Sequence, residues 1–311
     1  MVHLTQEAGG ALLGLSNDLA GAVERAGGAT VAVNARQRMA SSGIHWRQGV
    51  VVTADHTVER DEEITVTLAN GKSMPATLAG RDPSTDLAVL RVEGIEAPIA
   101  HIGDAAGLKV GHLVIAIGRP GEDGLAASMG AVSALGGPWR TWRGGHIGQF
   151  IRPDLTLYPG FSGGPLADAQ GQVVGLVTSG LSRGAGLAIP AATVSAVVEQ
   201  ILAKGHIARG YLGLGMQPVH LPDDLKARLS LPANQGLIVV SVEAGGPAEQ
   251  GGLLIGDVLV ALDGAPVADT NDVQTLLGPE RVGKPITVQV VRGGAATQVT
   301  VTVGERPQKE D

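Results

Sequence analysis

Cysteine is absent from the 311 residues, which excludes a small disulfide-stapled domain and any thiolate metal site. Aromatic residues make up only 2%, so any core must be built from aliphatic side chains. No apolar run approaches the roughly 18–20 residues of a membrane helix. There is no basic run, and the net charge is −7; a nucleic-acid backbone is therefore not an expected partner. No histidine stands in a spacing such as H-E-x-x-H, and we expect neither a metal nor an organic cofactor. His3, His45, His101, His112, His146, His206 and His220 read as capping or surface residues. The first 15 residues lack the basic start and apolar stretch of a signal peptide. The expectation is either a mature form or a protein that stays in the cytosol.

What the chain has in quantity is glycine and aliphatic residues: 47 glycines, with 44% hydrophobic content. Many tight turns around aliphatic segments favour a mostly β body, and the length suggests two domains. The segment that organises the rest is Gly160-Phe161-Ser162-Gly163-Gly164-Pro165-Leu166. Glycines on both sides of a serine permit the tight turn that exposes its hydroxyl, and they let backbone N–H groups converge on one point. Two classes of hydrolase present such a stretch. A nucleophile elbow needs a helix after the serine, with its Asp and His further on. A chymotrypsin-like nucleophile loop needs His and Asp earlier in the chain. After Ser162 the sequence reads as a short strand, a turn at 168–171 and a second, valine-rich strand. No helix follows, so the partners must lie upstream.

Upstream, His56 ends the β-branched run that begins at Val50, and Asp86 opens the apolar segment DLAVLRV. The order His, Asp, Ser is the one required. Three residues are needed because a serine hydroxyl becomes a useful nucleophile only when a neutral imidazole takes its proton. A carboxylate in turn fixes the imidazole tautomer and stabilises its charged form. Asp82, before Pro83, rivals Asp86 for the third role but reads better as a turn former.

The segments TADHTV, DPSTDLAVLRV, GFSGGPL and GLAIPAATV together resemble the HtrA/Deg family of serine proteases, in which a PDZ domain follows the protease body. The resemblance runs from about residue 19 to 306. It implies a chymotrypsin-like double six-stranded β-barrel, His56, Asp86 and Ser162 as the triad, and the N–H groups of Gly160 and Ser162 as oxyanion donors. It also implies unfolded or damaged protein substrates, a homotrimer or a multiple of one, and a periplasmic or envelope location. Two departures stand out. Tyr158-Pro159-Gly160-Phe161 replaces the usual Asn-Pro-Gly-Asn, and Asp55 precedes the histidine.

Taken in order, Ser16 can cap a helix over 17–26, and Gly27-Gly28 can stop it. Strands are expected at 30–33, 43–55, 64–68, 74–78 and 86–92, the middle pair joined by an Asn70-Gly71 turn. A second barrel would use 112–117, 126–135, 148–152, 165–168, 173–179 and 186–189. A helix over 191–202 ends that body, giving a protease domain over 1–203 and a linker over 204–210. A PDZ domain over 211–306, a small β-barrel with two helices, precedes a tail over 307–311. Its loop Tyr211-Leu212-Gly213-Leu214 resembles a carboxylate-binding loop. Leu212, Gly213 and Leu214 would offer N–H groups to a chain-terminal carboxylate, and Val273, Leu276 and Leu277 an apolar pocket for the last side chain. The expected helix lining that pocket spans 271–277, capped by Thr270.

The base of a specificity pocket in this fold lies about six residues before the nucleophile. That is Thr156, with Leu157 beside it and Leu187 and Ile189 as walls. None is a carboxylate, so small or medium aliphatic residues are expected before the scissile bond rather than Lys or Arg. Trp139 and Trp142, flanked by Arg140 and Arg143, are either contact residues or loop anchors. Two other functions remain open at this point: a proteolytically weak chaperone on the same scaffold, and a peptide-signal receptor led by the PDZ domain.

Overall fold

The structure is a computed structural model that describes residues 3–307 apart from 122, 123, 183, 185 and 232. Most of the expected tail therefore lies outside the described residues. The chain forms two compact units, Met1–Ile207 and Ala208–Asp311.

In the first unit, helix α1 (His3–Gly28) precedes strands β1 (Thr30–Asn34), β2 (Ser41–Arg47), β3 (Val50–Ala54), β4 (Ile64–Thr67), β5 (Ser73–Asp82) and β6 (Leu87–Arg91). These six close into a barrel in the order β1-β2-β3-β6-β5-β4. The expected single strand over 43–55 is two strands, because the chain reverses at Gly49, whose φ is +73°. Asn70-Gly71 makes the expected hairpin turn, with Leu68 N–H on the Lys72 carbonyl at 2.9 Å. The helix is longer than expected. Ser16 lies in its interior, not at its start, because the Ala- and Leu-rich residues before it extend the helix once its inner face is fixed. That face is short: Ala22 and Ala26 are buried while Leu12 is 69% exposed.

The second barrel follows as β7 (Leu113–Gly118), β8 (Ala126–Gly136), a two-stranded excursion β9 (Trp139–Arg140) with β10 (His146–Ile147), then β11 (Phe150–Asp154), β12 (Pro165–Asp168), β13 (Val173–Thr178) and β14 (Leu187–Pro190). It closes in the order β11-β14-β13-β12-β7-β8. Each barrel is filled by its own aliphatic cluster, and a third cluster, including Ile44, Val52, Ile117 and Leu176, packs where the barrels meet. Helix α2 (Ala191–Lys204) adds Val194, Val198 and Ile201 to this third cluster and ends at Gly205 in the left-handed conformation. His45 is not a surface residue. It is fully buried, with Nδ1 on the carbonyls of Ala97 and Pro98.

The second unit holds β15 (Gly210–Tyr211), β16 (Leu214–His220), α3 (Asp223–Leu229), β17 (Gln235–Val242), α4 (Pro247–Gln250), β18 (Val258–Leu262), β19 (Ala265–Pro266), α5 (Thr270–Leu276), β20 (Pro285–Arg292), β21 (Ala295–Thr302) and β22 (Gly304–Glu305). The main sheet is open, in the order β16-β17-β18-β20-β21. Among the described residues the unit carries three α-helices rather than two, since α3 buries no side chain and leaves little apolar signal. The cap of α5 is Asp269, not Thr270. Its carboxylate accepts the N–H groups of Asn271 and Asp272, a carboxylate being the stronger acceptor at a helix start. At the far end of the sheet, burial alone would push the Asp257 carboxyl up, but Arg292 at 2.7 Å and the Leu254 N–H hold it below the ordinary value.

Candidate active site

Asp86 lies in the turn between β5 and β6 with φ +60°, a left-handed conformation that Asp tolerates better than most residues. Asp82 builds that turn. Its carboxylate accepts the Ser84 N–H at 3.1 Å, the Ser84 hydroxyl at 2.6 Å and the Thr85 hydroxyl at 2.7 Å. Asp86 is left to face His56. Its Oδ1 accepts the His56 backbone N–H at 2.9 Å, and its two oxygens lie 3.0 and 2.9 Å from Nδ1. The Thr178 hydroxyl, at the end of β13, donates to Oδ2 and in turn accepts the Gly180 N–H at 2.9 Å. The Asp86 side chain is 6% exposed and that of His56 34%. A buried carboxylate on Nδ1 keeps the proton there and leaves Nε2 as the basic nitrogen.

His56 rides on a 3₁₀ turn, Asp55–Thr57, which Arg81 straddles. Arg81 Nε reaches Asp55 Oδ1 at 2.5 Å, and its other nitrogens reach the Val58 carbonyl at 2.9 Å and Asp61 at 3.1 Å. Burial pushes the Asp55 carboxyl above its ordinary value; Arg81 pulls it down, and the charges of Asp86 and Asp82 add to the rise. The unusual Asp55 is thus the inner half of an ion pair beneath the histidine.

The nucleophile loop is threaded between strands. Gly160 and Gly163 have φ of +86° and +90°, and a Cβ on Gly163 would meet the Ser42 carbonyl and the Thr53 hydroxyl. Ser42, on β2, ties the loop down: its hydroxyl donates to the Gly160 carbonyl at 2.7 Å and its N–H to the Ser162 carbonyl at 3.2 Å. Its hydroxyl also accepts the Arg119 N–H at 2.8 Å. With these carbonyls engaged, the N–H groups of Gly160 and Ser162 donate to no acceptor among the described residues. Phe161 points away from the cleft into the second barrel, where it is 1% exposed, with the Tyr158 ring edge-on at 5.5 Å. The Ser162 hydroxyl lies 3.1 Å from the Ser179 hydroxyl and accepts the Ser179 N–H at 3.3 Å; it makes no hydrogen bond to His56.

His56, Ser162, Gly160, Ser179, Leu157 and Tyr158 line one cleft of about 670 Å³, with Arg36 and Arg38 at its rim. Of the four expected specificity residues, only Leu157 reaches this cleft. Thr156 is exposed beside it, and Leu187 and Ile189 are 5% and 0% exposed within the cluster between the barrels. The sequence reading missed Ser42, Arg81, Thr178, Ser179 and Gly180. A Cβ on Gly180 would lie 2.6 Å from Asp86 Oδ2 and 2.7 Å from His56 Nδ1. The Thr178-Ser179 hydroxyl pair at the end of β13 was the one available signal. Trp139 is a loop anchor, edge-on to Phe150 at 5.7 Å, whereas Trp142 is 75% exposed with Arg143 over its ring.

In the second unit, Gly213 has φ +76°. The carbonyls of Leu212 and Gly213 accept N–H groups from Ala248 and Glu243, both at 2.8 Å, while the N–H groups of Leu212 and Gly213 find no acceptor among the described residues. Leu212, Val273 and Leu277 are buried in the core of this unit, with Leu214 and Leu276 partly buried against it. The Tyr211 hydroxyl donates to the Glu243 carboxylate, and that bond raises the tyrosine's pKa.

Residues 41–176 match a model described as a trypsin-like peptidase domain, and residues 210–303 match a PDZ domain. A curated relative from Ectopseudomonas mendocina, named "Probable periplasmic serine endoprotease DegP-like", is 36% identical over 88% of this chain and 58% of its own length. One of the same name from Halomonas elongata is 34% identical over the same shares. The chain therefore spans a little over half the length of these relatives. Among solved structures, "HtrA-type protease AlgW with decapeptide" aligns over 93% of this chain and 99% of its own, with 31% identity and a TM-score of 0.76. A serine endoprotease from Yersinia pestis aligns over 92% and 97%, with 29% identity and a TM-score of 0.73. On a double barrel that carries histidine, aspartate and serine at one cleft, this likeness over nearly the full length leaves one assignment: the chain belongs to the HtrA family of serine proteases.

Proposed function

We propose that this chain is an ATP-independent serine endopeptidase that cleaves unfolded protein, with a PDZ domain that binds apolar C-terminal peptides. Ser162 attacks the scissile carbonyl while His56 Nε2 takes its proton, and Asp86 holds the imidazole. The carbonyl oxygen becomes an oxyanion, to which the N–H groups of Gly160 and Ser162 donate hydrogen bonds. His56 then returns the proton to the leaving amine, and water repeats the cycle on the acyl-serine. The observation that carries this reading is the Asp86–His56 pair facing the cleft that Ser162 and two unengaged N–H groups also line. To react, Ser162 must turn from Ser179 to His56. An inactive chaperone on this scaffold is disfavoured, because every group the reaction needs is present.

Leu157 at the cleft supports cleavage after small or medium aliphatic residues, and a digest of a peptide library tests this. The two unengaged N–H groups of the second unit support capture of a terminal carboxylate. Occupying that site should change turnover by roughly 5- to 150-fold, the usual range of coupling between sites. Family membership supports a homotrimer, which light scattering tests, and the relatives' names support a periplasmic location. The central experiment is labelling with a fluorophosphonate beside casein hydrolysis. Both should occur with the native chain and neither with Ser162→Ala. A native chain that takes no label and cleaves no casein would return the function to peptide binding alone.

A further inference from the structure

The open sheet of the second unit ends on β16, which has β17 on one side and no strand on the other among the described residues; α5 lies near it. The surrounding bonds reveal which way each peptide group of β16 points. Before the strand, the Gly213 carbonyl accepts the Glu243 N–H at 2.8 Å, and after it the Leu221 N–H donates to the Asn234 carbonyl at 2.8 Å. Odd-numbered residues therefore face β17. Val239, opposite Met216, gives its N–H to Asp257 and takes that of Gly256, both on the β18 side. Met216 is thus not bonded across to β17. The register runs on without a shift through Gln217, Pro218 and Val219. By the alternation of a strand, Leu214, Met216, Pro218 and His220 turn their backbone groups to the open edge.

Pro218 has a carbonyl but no N–H to offer there. We propose that Pro218 is the residue that ends the reading edge of the PDZ domain, limiting recognition to about the last four residues of a chain end. This rests on the peptide-binding reading above. A peptide laid antiparallel to β16, with its carboxylate on the N–H groups of Leu212 and Gly213, gives the N–H of its last residue to the Leu214 carbonyl. Its third residue from the end exchanges two bonds with Met216. The fifth can donate to the Pro218 carbonyl, but its own carbonyl meets a pyrrolidine ring. At the step after Met216 the ladder therefore offers one bond where any other residue would offer two. The same ring makes the edge a poor template for an internal extended segment or the edge of a second sheet.

Calorimetry on the full chain carrying Ser162→Ala tests this, using free-acid, apolar-ended peptides from about three to about eight residues long. Affinity should rise up to about four residues and then stay flat within about twofold. Pro218→Val should leave the short peptides unchanged and tighten the longest by about three- to tenfold, the range of one recovered hydrogen bond. A ligand-side control needs no variant: an ester in place of the amide that follows the fifth residue from the end weakens that residue's carbonyl as an acceptor. With the native edge it should cost nothing. Affinity that climbs steadily with length, an ester penalty, or a folded Pro218→Val chain with no length dependence would each overturn the role of Pro218. Binding at no length at all would overturn the peptide-reading function itself.

Discussion

The two barrels contribute to the cleft in different ways. The first supplies His56 and Asp86, joined through the imidazole, through the His56 backbone N–H and through the Asp55 N–H on the Asp86 carbonyl at 3.1 Å. Arg81 clamps the turn from beneath. The second supplies Ser162, whose loop is anchored through Ser42 but whose hydroxyl rests on Ser179. The difference teaches that the acid–base pair is fixed by backbone geometry, while the nucleophile is fixed only up to its last torsion. To meet its base the hydroxyl must leave Ser179.

The largest effect should come from removing the group that both halves serve. Ser162→Ala should lower turnover on the order of a million-fold while the melting temperature holds, and casein cleavage near the native rate would end the assignment. Next comes the junction of the halves. Gly180→Ala places a methyl 2.6–2.7 Å from Asp86 and His56, and a displacement of about 1 Å at such a pair costs on the order of a hundredfold. The kinetic signature should be a loss in kcat with KM little changed. Unchanged kcat would mean that the pair tolerates movement after all.

Asp55 sharpens the contrast from the stability side. Because the fold raises its pKa, the folded protein disfavours its charge. That penalty is present at pH values above the folded pKa and disappears as the pH falls through it. Asp55→Asn should therefore stabilise the first unit near neutral pH, and the gain in melting temperature should vanish in acid. A destabilised variant would show instead that the pair with Arg81 outweighs burial. The smallest effect belongs to Ser179→Ala. Removing one weak hold on Ser162 should raise fluorophosphonate labelling by about two- to fivefold. A tenfold fall would make Ser179 a positioning residue for the reaction and not a competitor of His56.

Much of this was legible in the residues. His56, Asp86 and Ser162 announce themselves because the chemistry demands those residue types and a chymotrypsin-like fold demands that order. The glycines around Ser162 and the Asn70-Gly71 turn are legible for the same reason, since positive φ leaves few alternatives. Leu187 and Ile189 were harder to place, because a strand beside a cleft can turn its apolar side chains either way, and β14 turns these two into the cluster between the barrels. The roles of Thr178 and Gly180 could not be read off, because nothing local marks a hydroxyl or a missing side chain as adjacent to a carboxylate far back in the chain.

By itself the sequence determined the run of short strands and the order of the candidate residues His56, Asp86 and Ser162, and its motifs pointed by resemblance to two barrels and a PDZ unit, because alternation, turn chemistry and reactive groups are local properties. Only the tertiary structure decided what surrounds them. It buried Asp55 against Arg81, brought Thr178 to Asp86, set Ser179 rather than His56 against the nucleophile and turned Pro218 to an open edge. Each of these depends on register and barrel closure, which join residues far apart in the chain and leave no trace in either segment alone.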